Sequence, residues 1–188
     1  MSGKLWVLSD LHLDYNRGSH LGRLEPPAGA DIAVLAGDIV DPRFVERIAA
    51  RLPTIYVAGN HEFYGGYIRE TAEALASLPG VTFLNDDIVR IDGIRFIGGT
   101  LWTDYALRGR EWTRTAMDHA RNLMNDHRRI SNRKQPWSRF LPADALHLHE
   151  KTRRFIDEAP LDDGSPVVVV THHAPHPGSL LPQGNPDD

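Results

Sequence analysis

The chain has 188 residues and a formal net charge of −4, with 24% charged and 41% hydrophobic residues. That is enough for one domain with a sizeable core, and the balance is ordinary for a globular protein. There is no cysteine, which excludes disulfides and thiolate metal sites and fits a reducing compartment. The N-terminus runs directly into a strand with no apolar signal region, and no run approaches membrane-spanning length. The expectation is therefore a cytoplasmic location with no membrane partner. The charge is uneven: residues 104–155 carry 12 Lys or Arg against 6 Asp or Glu, and the remainder carries 9 against 19. Most of these charges fit a solvated helical surface, and together they would also draw in an anionic substrate. No basic-aromatic recognition motif accompanies them, so a nucleic-acid partner is not favoured.

In chain order, an apolar run at Leu5-Trp6-Val7-Leu8 predicts a buried strand near 4–9 that delivers Asp10 and His12. Residues 13–30, rich in glycine and proline, read as loop. Ile32-Ala33-Val34-Leu35 predicts a second strand, ending in Gly37-Asp38. Asp41-Pro42 reads as a helix cap with proline at the first helical position, and Phe44, Val45, Ile48 and Leu52 as that helix's apolar stripe. Thr54 to Ala58 predicts a third strand, ending in Gly59-Asn60-His61-Glu62, and a helix is expected over roughly 66–78. Strands linked by helical crossovers imply a largely parallel sheet, whose ligand sites lie at the carboxyl ends of its strands.

Beyond residue 80 the pattern changes. Short strands are expected at 81–84, 88–91 and 95–98, with Asp92-Gly93 a hairpin turn. Residues 104–158 read as mainly helical, a cap-like insertion. One helix is marked by Trp112, Ala116, Ala120 and Leu123. Another is marked by Ala145, Leu148, Thr152 and Phe155, with Asp144 as its cap. The basic stretch from Ser131 to Pro142 is expected to be irregular. Pro166 to Thr171 predicts a β-branched strand leading into His172-His173, and a Pro/Gly-rich loop follows.

Four strand ends thus present Asp-x-His, Gly-Asp, Gly-Asn-His-Glu and Thr-His-His. Asp10 and His12, two apart in extended chain, share one face, and a carboxylate beside an imidazole suits a divalent metal. Glycines at 37 and 59 remove side-chain bulk where backbone must turn or approach a ligand. In order and in strand context these motifs resemble those of the calcineurin-like metallophosphoesterase superfamily. That superfamily's final Gly-His-x-His motif is absent from this sequence.

The resemblance implies an α/β fold: a two-sheet β-sandwich flanked by helices in four layers, α/β/β/α. It implies a single domain over 1–188, and the missing motif leads us to expect a C-terminally truncated domain with an incomplete second sheet, weak metal occupancy and low activity. It implies two divalent metal ions, with manganese, iron or zinc all compatible with the donors. Asp10 and His12 would hold the first, Asp38 would bridge, and Asn60 and His172 would hold the second; His172 is preferred over His173. Two carboxylates against two divalent ions leave about +2, which suits a phosphate anion. The implied reaction is attack on a phosphate mono- or diester by metal-activated hydroxide, with His61 protonating the departing alkoxide. Asp41 would pair with His61 or cap the helix, or do both. Glu62 would support the site or simply open a helix. His147 and His149 are expected to be structural, and His20 and His176 bystanders. A metal-binding domain of little activity and a nuclease are the alternatives. The substrate and the oligomeric state are not legible.

Overall fold

A computed structural model describes residues 3–16, 18–160 and 164–179. Strands β1 (Leu5–Leu8), β2 (Ile32–Ala36), β3 (Thr54–Val57) and β4 (Val81–Phe83) form a parallel sheet in that order. Helices α1 (Pro42–Ala49) and α2 (Ile68–Ala76) make the crossovers that parallel pairing requires. The strands are short apolar runs because both faces of the sheet are covered. Ile32, Val34, Ile55 and Val57 face a second sheet, with Leu84, Phe96 and Val170. Their neighbours Ala33, Leu35 and Tyr56 point the other way, into a larger core with Phe44, Val45 and Ile48 of α1 and Leu75 of α2. The period of two along each strand thus divides its side chains between two cores.

The chain then forms a hairpin of β5 (Asp87–Ile91) and β6 (Ile94–Gly99). Asp92 and Gly93 both have positive φ, 49° and 79°, which matches the twist of the flanking strands. The following segment holds α3 (Thr113–Leu123), α4 (Asp126–Arg129), a hairpin of β7 (Ser131–Lys134) and β8 (Trp137–Arg139), and α5 (Pro142–Asp157). Helix α5 packs against β6 and α3. Strand β9 (Val167–Thr171) then pairs parallel to β6, giving the order β5-β6-β9. This is the expected sandwich of two sheets with flanking helices. Among the described residues no helix is long and apolar enough to cross a membrane.

Three expectations need correction. The stretch 131–142 is not irregular: β7 and β8 pair in it, Ser131 N donates to Gly66 O at 3.0 Å, and Trp137 Nε1 donates to Ser131 Oγ at 3.3 Å. The 104–158 segment is mainly helical, as expected, with this hairpin between α4 and α5. Strand β4 joins the first sheet, beside β3. The stripe assigned to α3 does not all pack inward, since Trp112 and Leu123 are 55% and 72% exposed and only Ala120 of the four is buried. Asp144 does cap α5, but from its third position: Leu141 is the cap residue, and its N–H donates to Asp144 Oδ2 at 2.8 Å. The Pro/Gly-rich stretch from residue 180 onward lies outside the described residues.

Phe140 joins the inserted segment to the core. It is fully buried, with its ring 4.6 Å from that of Trp102 and 5.7 Å from that of His127. Phe140→Ala should lower stability by roughly 3–5 kcal/mol, measured as a shift of the denaturant midpoint. A variant as stable as the parent would mean that the insertion is not packed as described.

Candidate metal centre

Each strand of the sandwich core that carries a motif ends at one edge. Asp10 and His12 follow β1, Asp38 follows β2, Asn60 and His61 follow β3, and His172 follows β9. The backbone there is bent into an unusual form. Asp10, His12, Asp38 and Val40 all have positive φ, between 44° and 58°, a region that non-glycine residues rarely occupy and β-branched ones least of all. Cross-links hold them: Asp10 N donates to Gly37 O, His12 N to Asp38 O and Leu13 N to Ile39 O, at 2.9–3.1 Å.

Glu62 organises the loop after β2. Its Oε1 accepts hydrogen bonds from Ile39 N (2.8 Å), Val40 N (3.0 Å) and Tyr56 Oη (3.0 Å), and its Oε2 accepts from Asp38 N (2.9 Å) and Gly59 N (2.7 Å). Three successive backbone N–H groups thus converge on one carboxylate, a nest-like arrangement with a side chain as the anion. Of the two readings left open for Glu62, the structure shows support of the site.

Asp38 sits at the centre, 3% exposed. Its Oδ1 accepts from His61 N at 2.9 Å and lies 3.6 Å from His172 Nε2; its Oδ2 lies 3.6 Å from His12 Nε2. Burial pushes its carboxyl above the ordinary value, against the opposing pull of His172. Among the described residues no lysine or arginine pairs with it. His172 Nδ1 is 2.9 Å from Ala36 O, which makes that nitrogen the donor and leaves Nε2 as the one that faces the carboxylate. His12 Nε2 also lies 3.8 Å from Asp10 Oδ1. Candidate donor atoms fall into two clusters that share Asp38: His12 and His61 in one, Asp10 and His172 in the other, all within 4.8 Å. Asp10 therefore groups with His172 here, whereas the resemblance paired it with His12.

The glycines before these ligands are sterically required. A Cβ on Gly59 would lie 2.1 Å from Asp38 Oδ1, and one on Gly37 would lie 2.4 Å from His172 Nδ1. Buried His12 Nδ1 and His61 Nδ1 have no hydrogen-bond partner. The carboxylate-imidazole donor set and these orphaned nitrogens fit divalent ions.

Asn60 is held from the inserted segment. Its Nδ2 donates to Asp126 Oδ1 at 2.8 Å and to Tyr64 Oη at 3.3 Å, while Tyr64 Oη donates to Asp126 Oδ1 at 2.7 Å. With the amide nitrogen committed, Asn60 Oδ1 is the end left to serve as a ligand. Burial and then Asp126 push the Tyr64 hydroxyl well up, so it stays a donor. Asp126 was not read as functional; the signal lay only in a helix acid buried to 5% exposure, which sequence does not show.

His61 stacks on Tyr64 with ring centroids 4.2 Å apart, and it meets the edge of His12 at 4.4 Å. Asp41 caps α1 through Oδ1, which accepts from Arg43 N at 3.0 Å. No hydrogen bond or ion pair joins Asp41 to His61. His173 turns away from Asp38: its Nδ1 is 3.1 Å from Thr100 O and its ring stacks on Trp102. Burial, then neighbouring His172, lowers its pKa to about 4, so it is neutral near pH 7. His149 Nδ1 lies 2.9 Å from Leu101 O, a structural role.

The fold and this carboxylate-imidazole cluster define a metal-binding α/β protein with its centre at the carboxyl edge of a parallel sheet. A family model of calcineurin-like phosphoesterases matches residues 3–187, and the chain belongs to that family. That family is, in general, one of metal-dependent phosphoesterases. The chain is also similar to a protein of Acanthamoeba polyphaga mimivirus named Uncharacterized protein L509. The two are 26% identical over 198 residues, covering 91% of this chain and 68% of the viral protein.

Glu62→Gln tests the clamp. A glutamine offers one acceptor oxygen where five donors converge, and its NH₂ would meet N–H groups. We expect a loss of about 2–4 kcal/mol and weaker metal binding, read by thermal melting and by metal titration. Unchanged values in both would remove Glu62 from the site's support.

Proposed function

We propose that the protein hydrolyses a phosphate mono- or diester at a centre for two divalent ions (manganese, iron or zinc). The observation that carries this reading is the Asp38 carboxylate, whose two oxygens each face a different imidazole, His172 and His12, at 3.6 Å. Asp38 would be the shared ligand, with Asp10, His12, Asn60 and His172 completing the two positions. When bound, such ions lower the pKa of a water and offset the charge of the phosphoryl oxygens.

The chain's own groups do the rest. Asn60 contributes a neutral oxygen, held in orientation by Asp126, so the centre keeps a positive balance toward an anionic substrate. His61 is fixed by its backbone bond to Asp38 and by stacking on Tyr64, beside the cluster rather than buried behind it. From there it holds a proton for the oxygen that leaves phosphorus.

Asp38→Asn should abolish binding of a second ion while leaving the fold near intact, as seen by metal analysis beside a melting curve. Two tightly held ions in that variant would sink the shared-ligand assignment. His61→Ala should retain metal and slow alkyl esters by about 10²–10⁴-fold. Nitrophenyl esters should suffer much less, because a good leaving group needs no proton. Equal slowing of both ester types would count against the acid role.

A further inference from the structure

The inserted segment brings an arginine against Tyr64, the ring that stacks on His61. Arg129 ends α4, and its carbonyl accepts from Gly65 N at 2.8 Å, which ties it to the loop that follows His61. Its guanidinium carbon lies 4.4 Å from the centroid of Tyr64, and its Nη1 donates to Tyr15 Oη at 2.7 Å. Tyr64 stacks on His61, and the Tyr15 ring lies 6.1 Å from His61. Two tyrosines that flank His61 thus hold the guanidinium in place.

Arg129 is exposed. Among the described residues no carboxylate lies within ion-pair distance of it; Asp14 acts on it only through space. One of its five N–H donors is used by Tyr15, and the outward ones face solvent. A pre-organised planar cation with open donors binds oxyanions well, because little rotamer freedom is left to lose.

The direction of the site decides which part of a substrate it meets. The Asp38 cluster marks the phosphoryl group, and His61 marks the leaving oxygen. Arg129 packs on the same Tyr64 ring that stacks on His61, next to that position. Resting on the reading of His61 given above, we propose that Arg129 binds an oxyanion carried by the leaving half of the substrate. The preferred substrate class is then a phosphate ester whose alcohol half bears its own carboxylate or phosphate.

The test uses a matched pair, phenyl phosphate and 4-carboxyphenyl phosphate, with manganese-loaded protein. The wild type should favour the carboxylated ester by tenfold or more in kcat/KM, and Arg129→Gln should lower that ratio at least tenfold. Arg129→Lys, which keeps charge but not the fork, should retain part of it, and Tyr15→Phe should lower it several-fold by freeing the guanidinium. Melting curves show that each variant is folded. Binding of benzylphosphonate and 4-carboxybenzylphosphonate, measured by calorimetry, reads the same preference without turnover. A wild-type ratio near one in both assays, or equal losses for both members of the pair in Arg129→Gln, overturns the proposal. Absence of hydrolysis of either ester, with the phosphonate preference present and lost on Arg129→Gln, would overturn the hydrolytic reading and leave the anion site standing.

Discussion

The carboxylate of Glu62 is the interaction on which the site depends. Residues after a β-strand have no ladder to hold them, and here four non-glycine residues sit in left-handed conformations, each costing about 1–3 kcal/mol. Val40, a β-branched residue with φ of 58°, is the least comfortable of them. Glu62 accepts from the N–H of Asp38, Ile39 and Val40 and also from Gly59 and Tyr56. It therefore fastens the turn after β2 to the turn after β3 and to the core beneath. The bent backbone persists because charge-assisted hydrogen bonds offset its strain. Asp38 emerges from that turn with its two oxygens facing His172 and His12.

The centre is composite in origin. The first sheet supplies carboxylates and the Asn-His pair, the second sheet supplies His172, and the inserted segment supplies Asp126, which fixes the amide of Asn60. Asp126 and Arg129 lie three apart on α4, so they share one face of that short helix. One holds the amide of Asn60 and the other packs on Tyr64 and Tyr15. The motif residues stand at the strand ends, while these two come from the insertion, a connection carried over a rigid scaffold.

What was legible in the sequence follows from range. Buried parallel strands are continuous apolar runs, so Ile32–Leu35, Thr54–Val57 and Val167–Val170 were plain, and glycines beside Asp38 and Asn60 marked their turns. Glu62 was ambiguous because three of its five partners, Asp38, Ile39 and Val40, lie on another segment. The β7–β8 hairpin was missed because Ser-Asn-Arg-Lys and Trp-Ser-Arg show no apolar alternation; it is held by the backbone of the Gly66 loop and by polar contacts instead. The α3 stripe misled because Trp112 and Leu123 have helical spacing without a surface to cover them. Asp126 and Arg129 looked like any charges on a basic helix. Their roles come from Asn60 and Tyr15, 66 and 114 positions away, and single-sequence periodicity carries no such information.

The placement of His172 bears on how the protein breathes. The residue follows β9, and its ring bonds to Ala36 O across 136 positions of chain. Among the described residues β9 has one strand neighbour, β6, and Val169 is 47% exposed. Strands at a sheet margin open at lower free energy than central ones, in local events short of global unfolding. Each opening of β9 would withdraw His172 from Asp38 while leaving Asp10, Asp38 and Asn60 in register on the first sheet. The lifetime of the complete donor set is then governed by the amide-exchange behaviour of one five-residue strand rather than by the stability of the whole molecule.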